Sequence, residues 1–189
     1  MCIRDRNCGR TGLTEQQAKQ AGYTVETVLA VTDDKAHYYP GSSFFATKLI
    51  VQKDTHRLLG AQILGPGAVD KMVDIAVMGL NTGAVLEDFE NADFAYAPPF
   101  STAIHPFVQA VYILLNKLNG DMVSITPADY AAGKADDYKV IDMGNTPPIR
   151  GAVSVELTSV NGPIPDVYKR QKQGCKYSPV LSILFIIPS

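Results

Sequence analysis

Two short segments gather the side chains best suited to chemistry. In HYYPGSS, residues 37–43, His37, Tyr38 and Tyr39 precede Pro40-Gly41; in FAYAPPFS, residues 94–101, Tyr96 precedes Pro98 and Pro99. Proline fixes φ and glycine accepts positive φ, so Pro40-Gly41 predicts a type II turn that sets the direction of both preceding rings. The Pro-Pro pair holds Tyr96 just as rigidly. A phenol keeps its proton at neutral pH and can donate a hydrogen bond to a developing thiolate or alkoxide. Turn tyrosines more often act as hydrophobic caps, and the catalytic use requires the two turns to share one side of the domain. His105, in AIHPF, is the best general-base candidate by residue type; its alternative is a helix-start histidine bonded to backbone. His37 either joins the tyrosine turn or faces water, and His56 sits solvated on a hairpin tip.

No nucleophile accompanies these groups. Cys2, Cys8 and Cys175 lie outside every well-patterned segment, with neither C-x-x-C spacing nor an even framework, so structural zinc and a disulfide scaffold are not expected. No serine sits in a nucleophile elbow. GPGAVD, residues 65–70, follows a strand and opens a helix but lacks a third glycine, so it reads as a turn rather than a phosphate cradle. Asp142 reads as a polar strand end. Two rigid phenols without a nucleophile describe a helper surface, completed by protein outside this chain.

The elements that must position them follow from local pattern. LTEQQAKQAG is a helix with a Thr14/Gln17 capping box and a stop at Gly22. Residues 24–32, 44–52 and 57–65 alternate as strands, the last two joined through KDTH as an antiparallel hairpin, which gives a small meander sheet. Val69, Met72, Val73, Ala76 and Leu80 recur at helical spacing, with Gly83 as the stop. VLEDFEN is a short helix ended before Pro98-Pro99. Residues 102–120 read as a helix with Pro106 in its first turn and an apolar surface nearly all round, more than a three-stranded sheet can cover, which implies a subunit interface. After Gly120 the pattern changes to strand, short helix, strand and loop, and YKVIDM reads as a buried parallel strand.

Composition fits a soluble globular protein: 189 residues, 46% hydrophobic and 19% charged. A net charge of −2 gives no basic excess, so no nucleic-acid partner is expected. The apolar run from Val180 to Ile187 is too short to span a bilayer, and cytoplasmic is the default compartment. MCIRDR and the stretch from about DVYKRQ onward read as non-native ends, with a buried C-terminal strand as the alternative for the last residues.

GLTEQQAKQAGY, AHYYPGSS, RLLGAQILGPGAVDKMVDIAVMGL and ADFAYAPPFSTAIHPF occur in this order over about residues 10–120. Together they resemble the C-terminal dimerisation domain of the FAD-dependent pyridine nucleotide-disulfide oxidoreductases, nearest to the CoA-disulfide reductase and NADH oxidase group. DYKVIDMGNTPPIRGAVSVELTSVNG is similar to the start of the rhodanese-like domain fused to some members. The resemblance implies an α+β fold, a small antiparallel meander sheet packed with helices, followed by the truncated start of an α/β rhodanese-like domain. The division is 1–9 as a non-native or disordered leader, 10–120 as the dimerisation domain, 121–166 as the partial rhodanese-like domain and 167–189 as a non-native tail.

It further implies a homodimer whose full-length parent uses FAD and NAD(P)H to reduce CoA disulfide, a related small disulfide, persulfide or oxygen. Tyr38 (or its neighbour Tyr39) and Tyr96 would hydrogen-bond the substrate sulfur or leaving thiolate at the partner subunit's redox centre. Pro98, Pro99 and Phe100 would lie near the partner's flavin. His105 stands where glutathione-type reductases carry a His-Pro base, whereas many CoA-disulfide reductases have Lys-Asp-Pro there. The flavin fingerprint, the nicotinamide fold and the redox cysteine belong to the family's N-terminal part, so this chain alone is expected neither to bind flavin fully nor to turn over. The alternatives are a non-catalytic dimerisation module and a rhodanese-type sulfurtransferase fragment. The second lacks a loop cysteine, none lying between Cys8 and Cys175.

Overall fold

Residues 2–3, 6–136, 138–142, 153–154 and 184–188 are described in this computed structural model. They fall into two units, Met1–Gly120 and Asp121–Ser189. The first is built on an antiparallel sheet of five strands: β1 (Cys2–Ile3), β2 (Arg6–Gly12), β3 (Val25–Asp33), β4 (Phe44–Gln52) and β5 (Leu58–Gly65), in the order β1-β2-β5-β4-β3. The meander β3-β4-β5 is the one expected from alternation. β2 was not expected: its first residues fall in the 1–9 segment read as leader, and it pairs with β5 from Asn7↔Gly65 to Gly12↔Gly60.

Among the described residues the helices are α1 (Glu15–Gln20), α2 (Val69–Thr82), α3 (Leu86–Glu90) and α4 (Pro106–Leu118) in this unit, and α5 (Pro127–Ala131) in the second. α1 carries the reciprocal Thr14–Gln17 capping box read from sequence. Left-handed Gly83, φ 69°, closes α2. α2 lies over β5 and β2, and α4 over β3 and β4. The core fills the space between: Val28 and Ala30 of β3, Phe45, Leu49 and Val51 of β4, Leu58, Ala61 and Ile63 of β5, against Met72, Ala76, Phe107, Val111 and Leu114. Leu29, Val31, Phe44 and Leu64 point to the opposite face and are exposed, while α1 covers one corner of that face through Ala18, Ile50 and Leu59.

Two expectations change here. α4 begins at Pro106, four residues later than the pattern suggested, with Pro106 at its first position. Its apolar surface does not await a second subunit. Every residue of α4 is buried or half-buried within this chain, because β3 and β4 lie beneath it and α3 covers its flank through the Phe89–Phe107 ring pair at 5.2 Å. The shape of α4 therefore says nothing about a dimer.

In the second unit, β6 (Tyr138–Asp142) pairs in parallel with β7 (Val153–Ser154) and antiparallel with β8 (Leu184–Pro188). The parallel pairing read from YKVIDM is present, and Leu184–Pro188, the described part of the apolar run near the end of the sequence, is strand. Cys175 and most of 143–183 lie outside the described residues. No helix among the described residues is long and apolar enough to cross a membrane.

Since α4 is buried by its own chain, Leu114→Ala should cost about 2–5 kcal/mol. Denaturant unfolding would show that loss equally at low and high protein concentration; a loss appearing only where the chain self-associates would return the helix to a subunit seam.

Candidate functional site

Both aromatic turns lie at one end of the first unit because α4 runs antiparallel to β3. At one end Lys117 Nζ binds Glu26 at 2.7 Å and donates to the Thr27 carbonyl at 3.0 Å. From there, α4 rises about 1.5 Å per residue and β3 about 3.3 Å per residue in the opposite chain sense. Eleven residues of helix and six of strand cover similar lengths, about 16 and 20 Å. The loop leaving β3 after Asp33 and the loop entering α4 before Pro106 therefore arrive together. Ala36 N–H donates to the Pro98 carbonyl across the two loops at 3.4 Å.

The first loop is two consecutive turns. Tyr39 N–H donates to Ala36 C=O at 2.8 Å and Ser42 N–H to Tyr39 C=O at 3.1 Å. Gly41 has φ 74°, as the second turn requires. Ser43 N–H binds Asp34 Oδ1 at 2.7 Å and Ser42 Oγ donates to His37 C=O at 2.9 Å, closing the loop on itself. The second loop folds on Ala97 C=O, which accepts from Phe100 and Ser101 N–H.

On this frame Tyr38 and Tyr96 meet. Tyr96 is raised above the ordinary phenol range, first by partial withdrawal from water and then by Tyr38, so the two phenols act on each other. Both rings keep large exposure, 68% for Tyr38 and 50% for Tyr96. The His37 ring stands edge-on to Tyr38, 5.4 Å between centroids and 82° between planes. Tyr39 is turned elsewhere at 37% exposure, so of the two neighbouring tyrosines it is Tyr38 that reaches Tyr96.

His105 is separate from this pair. It is 6% exposed, caps α4 by accepting from Phe107 N–H at Nδ1 (3.3 Å), and packs on Phe94 with ring centroids 4.8 Å apart. Burial, then the Lys71 cation, lowers it to about 4, so the ring is neutral at pH 7 with its proton on Nε2. His105 borders a cleft of about 200 Å³ with Asp34, Lys35, Lys71, Phe100 and Ser101. Pro98 and Pro99 are half-buried beneath Phe100, which is 76% exposed. His56 is not merely solvated: it adopts φ 57° and binds Glu87 through Nδ1.

At the start of α2 the residues do not fit a dinucleotide phosphate. A Cβ at Gly67 would lie 3.0 Å from Asp34 Oδ2 and from the Phe45 ring, and one at Gly65 would lie 2.6 Å from that ring. The space a phosphate would need at the start of α2 holds a benzyl group and a carboxylate, which repels it. These glycines serve close packing. Among the described residues, no group of three or more His, Cys, Asp or Glu side chains could hold a metal. Sequence reading placed both tyrosine turns at one site and left His37 either joining that turn or facing water; its ring is exposed and stands edge-on to Tyr38.

Residues 1–107 match the family model described as the pyridine nucleotide-disulphide oxidoreductase dimerisation domain. The NAD(P)H sulfur oxidoreductase (CoA-dependent) of Pyrococcus furiosus is 36% identical over 110 residues, 58% of this chain and 25% of that protein. The coenzyme A disulfide reductase of Staphylococcus epidermidis is 35% identical over 71 residues, 38% of this chain and 16% of that one. This chain thus spans a quarter or less of these relatives. Among solved structures, the NAD-dependent persulfide reductase from A. fulgidus aligns with TM-score 0.64 and 37% identity over 66% of this chain and 23% of that one. Reduced Bacillus anthracis CoADR-RHD aligns with TM-score 0.73 and 26% identity over 80% of this chain and 28% of that one.

A neutral, buried His105 favours the folded state fully above its unfolded value near 6.5, and that contribution is lost as pH falls toward about 4. His105→Asn, which retains a capping side chain, should flatten this acid limb of stability. Denaturant melts of both proteins from pH 7 to pH 4 read the slope; identical slopes would place the acid sensitivity elsewhere.

Proposed function

Because this chain belongs to the dimerisation-domain family of the pyridine nucleotide-disulphide oxidoreductases, we propose that it is the dimerising part of an FAD-dependent NAD(P)H oxidoreductase. Its parent acts on CoA disulfide or a related small disulfide, persulfide or polysulfide, and Tyr38 and Tyr96 serve the partner subunit's redox centre. The observation that carries this reading is the meeting of the two phenols. They come from loops 58 positions apart in the chain, act on each other at the phenol, and remain largely exposed. Phenols used only as packing would be covered; these present their donors outward on a rigid base.

In the parent, flavin would supply the electron transfer, held by residues other than those described here. The role of this chain is narrower. One phenol donates to the sulfur as its bond to the neighbouring sulfur breaks, stabilising the departing thiolate. Tyr96, held protonated, remains a donor at neutral pH. Phe100, with the two prolines behind it, forms an apolar edge suited to covering a flat ring system of the opposite subunit. His105 acts through α4, fixing the loop that carries Tyr96, and its neutral buried ring suits that role better than proton transfer. Names of the matched relatives supply the acceptor class: sulfur and CoA disulfide. The parallel pairing of β6 and β7 supports reading 121–166 as the start of a rhodanese-like domain joined to it.

In the parent enzyme, Tyr38→Phe with Tyr96→Phe should retain FAD and dimer mass while disulfide reduction falls by at least about tenfold. Stopped-flow reduction by NAD(P)H followed by turnover with CoA disulfide separates the two half-reactions. Unchanged turnover would leave the phenols as packing groups. Sedimentation of the 189-residue chain should show self-association at micromolar concentration; a monomer throughout would count against the homodimer.

A further inference from the structure

We propose that His37 is a positioning residue, its ring standing perpendicular to the Tyr38 ring at 5.4 Å and holding that phenol beside Tyr96. The inference rests on the functional reading of the tyrosine pair and adds a residue to it. Tyr38 is 68% exposed, so little of its ring is held by the body of the domain. An exposed tyrosine samples several χ1 wells unless a neighbour selects one. The neighbours in reach are His37 on one side and Tyr96 at the phenol.

His37 is itself well placed to select. It follows Ala36, which is 8% exposed and tied to the Pro98 carbonyl. Its own carbonyl accepts from Ser42 Oγ at 2.9 Å, so the backbone under the imidazole is fixed on both sides. Backbone ties and the edge-on ring contact together place one wall beside Tyr38. The contact is an aromatic edge-to-face pair, a geometry with a preferred orientation and not only a preferred distance. A methyl group at residue 37 removes that wall; a phenyl ring replaces it.

His37→Ala and His37→Phe separate this role from charge. In the 189-residue chain labelled at tyrosine Cζ, the Tyr96 resonance reports the phenol pair by its raised titration midpoint. His37→Ala should bring that midpoint down toward free tyrosine, and His37→Phe should restore it. In the parent reductase, His37→Ala should lower kcat for CoA disulfide roughly threefold to tenfold, the population loss expected from one aromatic pair, with KM and FAD content unchanged and His37→Phe rescuing kcat. An unaltered Tyr96 titration in His37→Ala, or a His37→Phe variant no better than His37→Ala, overturns the proposal. If Tyr38→Phe with Tyr96→Phe leaves turnover intact, the functional reading fails instead, and the Cζ titration alone still decides whether His37 holds the pair.

Discussion

The antiparallel docking of α4 on β3 is the constraint from which the rest of this surface follows. Lys117 fixes one end by binding Glu26 and the Thr27 carbonyl. Phe107, Val111 and Leu114, all fully buried, fix the length between. A helix and a strand of matched length held in this way must bring their far ends level, and those far ends are the two aromatic loops. The Ala36–Pro98 hydrogen bond, long at 3.4 Å, is then a consequence of the docking rather than its cause. Burial of large side chains at about 1.5–3 kcal/mol each outweighs one such bond several times over. Loosening the loop contact alone would leave the tyrosines near each other; undocking α4 would not.

The same docking decides what His105 can do. At the first turn of α4 it is pressed against Phe94 and closed off from water, and its Nδ1 is occupied by the Phe107 amide. Desolvation favours the uncharged ring, and Lys71 adds to that preference. A histidine in this position holds the loop, whereas His37, outside the core and beside an exposed phenol, touches the surface that a substrate could reach.

Much of this frame was legible, and the reasons for what was not are local. The Thr14–Gln17 box, the β3-β4-β5 meander and the Gly83 stop are encoded within a few residues, so they were readable. β2 was not, because RNCGRTG lacks alternation and β-branched density. Its conformation comes from the free edge of β5 and from α2 above it: a Cβ at Gly9 would come within 2.7 Å of Val73 Cγ2, so only glycine lets the strand sit so close to α2. α4 was begun early, at residue 102, yet the Thr102 hydroxyl donates to the Ile104 carbonyl and His105 takes the capping role. His56 looked solvated because Glu87 is 31 positions away. At the site, residue types and turn rigidity were readable, while the pairing of Tyr38, rather than Tyr39, with Tyr96 depends on loops 58 positions apart.

Exposure is the property of the phenol pair that most needs a physical account. In open water a hydroxyl donor merely exchanges one acceptor for another, so two surface phenols contribute little on their own. They become effective when a second surface displaces that water and the local dielectric falls, which strengthens the same hydrogen bond several-fold. For that to work the phenols must already be oriented before they are covered, because reorganisation at that moment would consume the gain. The turns at Ala36–Tyr39 and Tyr39–Ser42, the proline pair at 98 and 99, and the imidazole beside Tyr38 supply that order in advance. On the proposed reading, this rigid and exposed cluster is one side of a site that a second subunit covers.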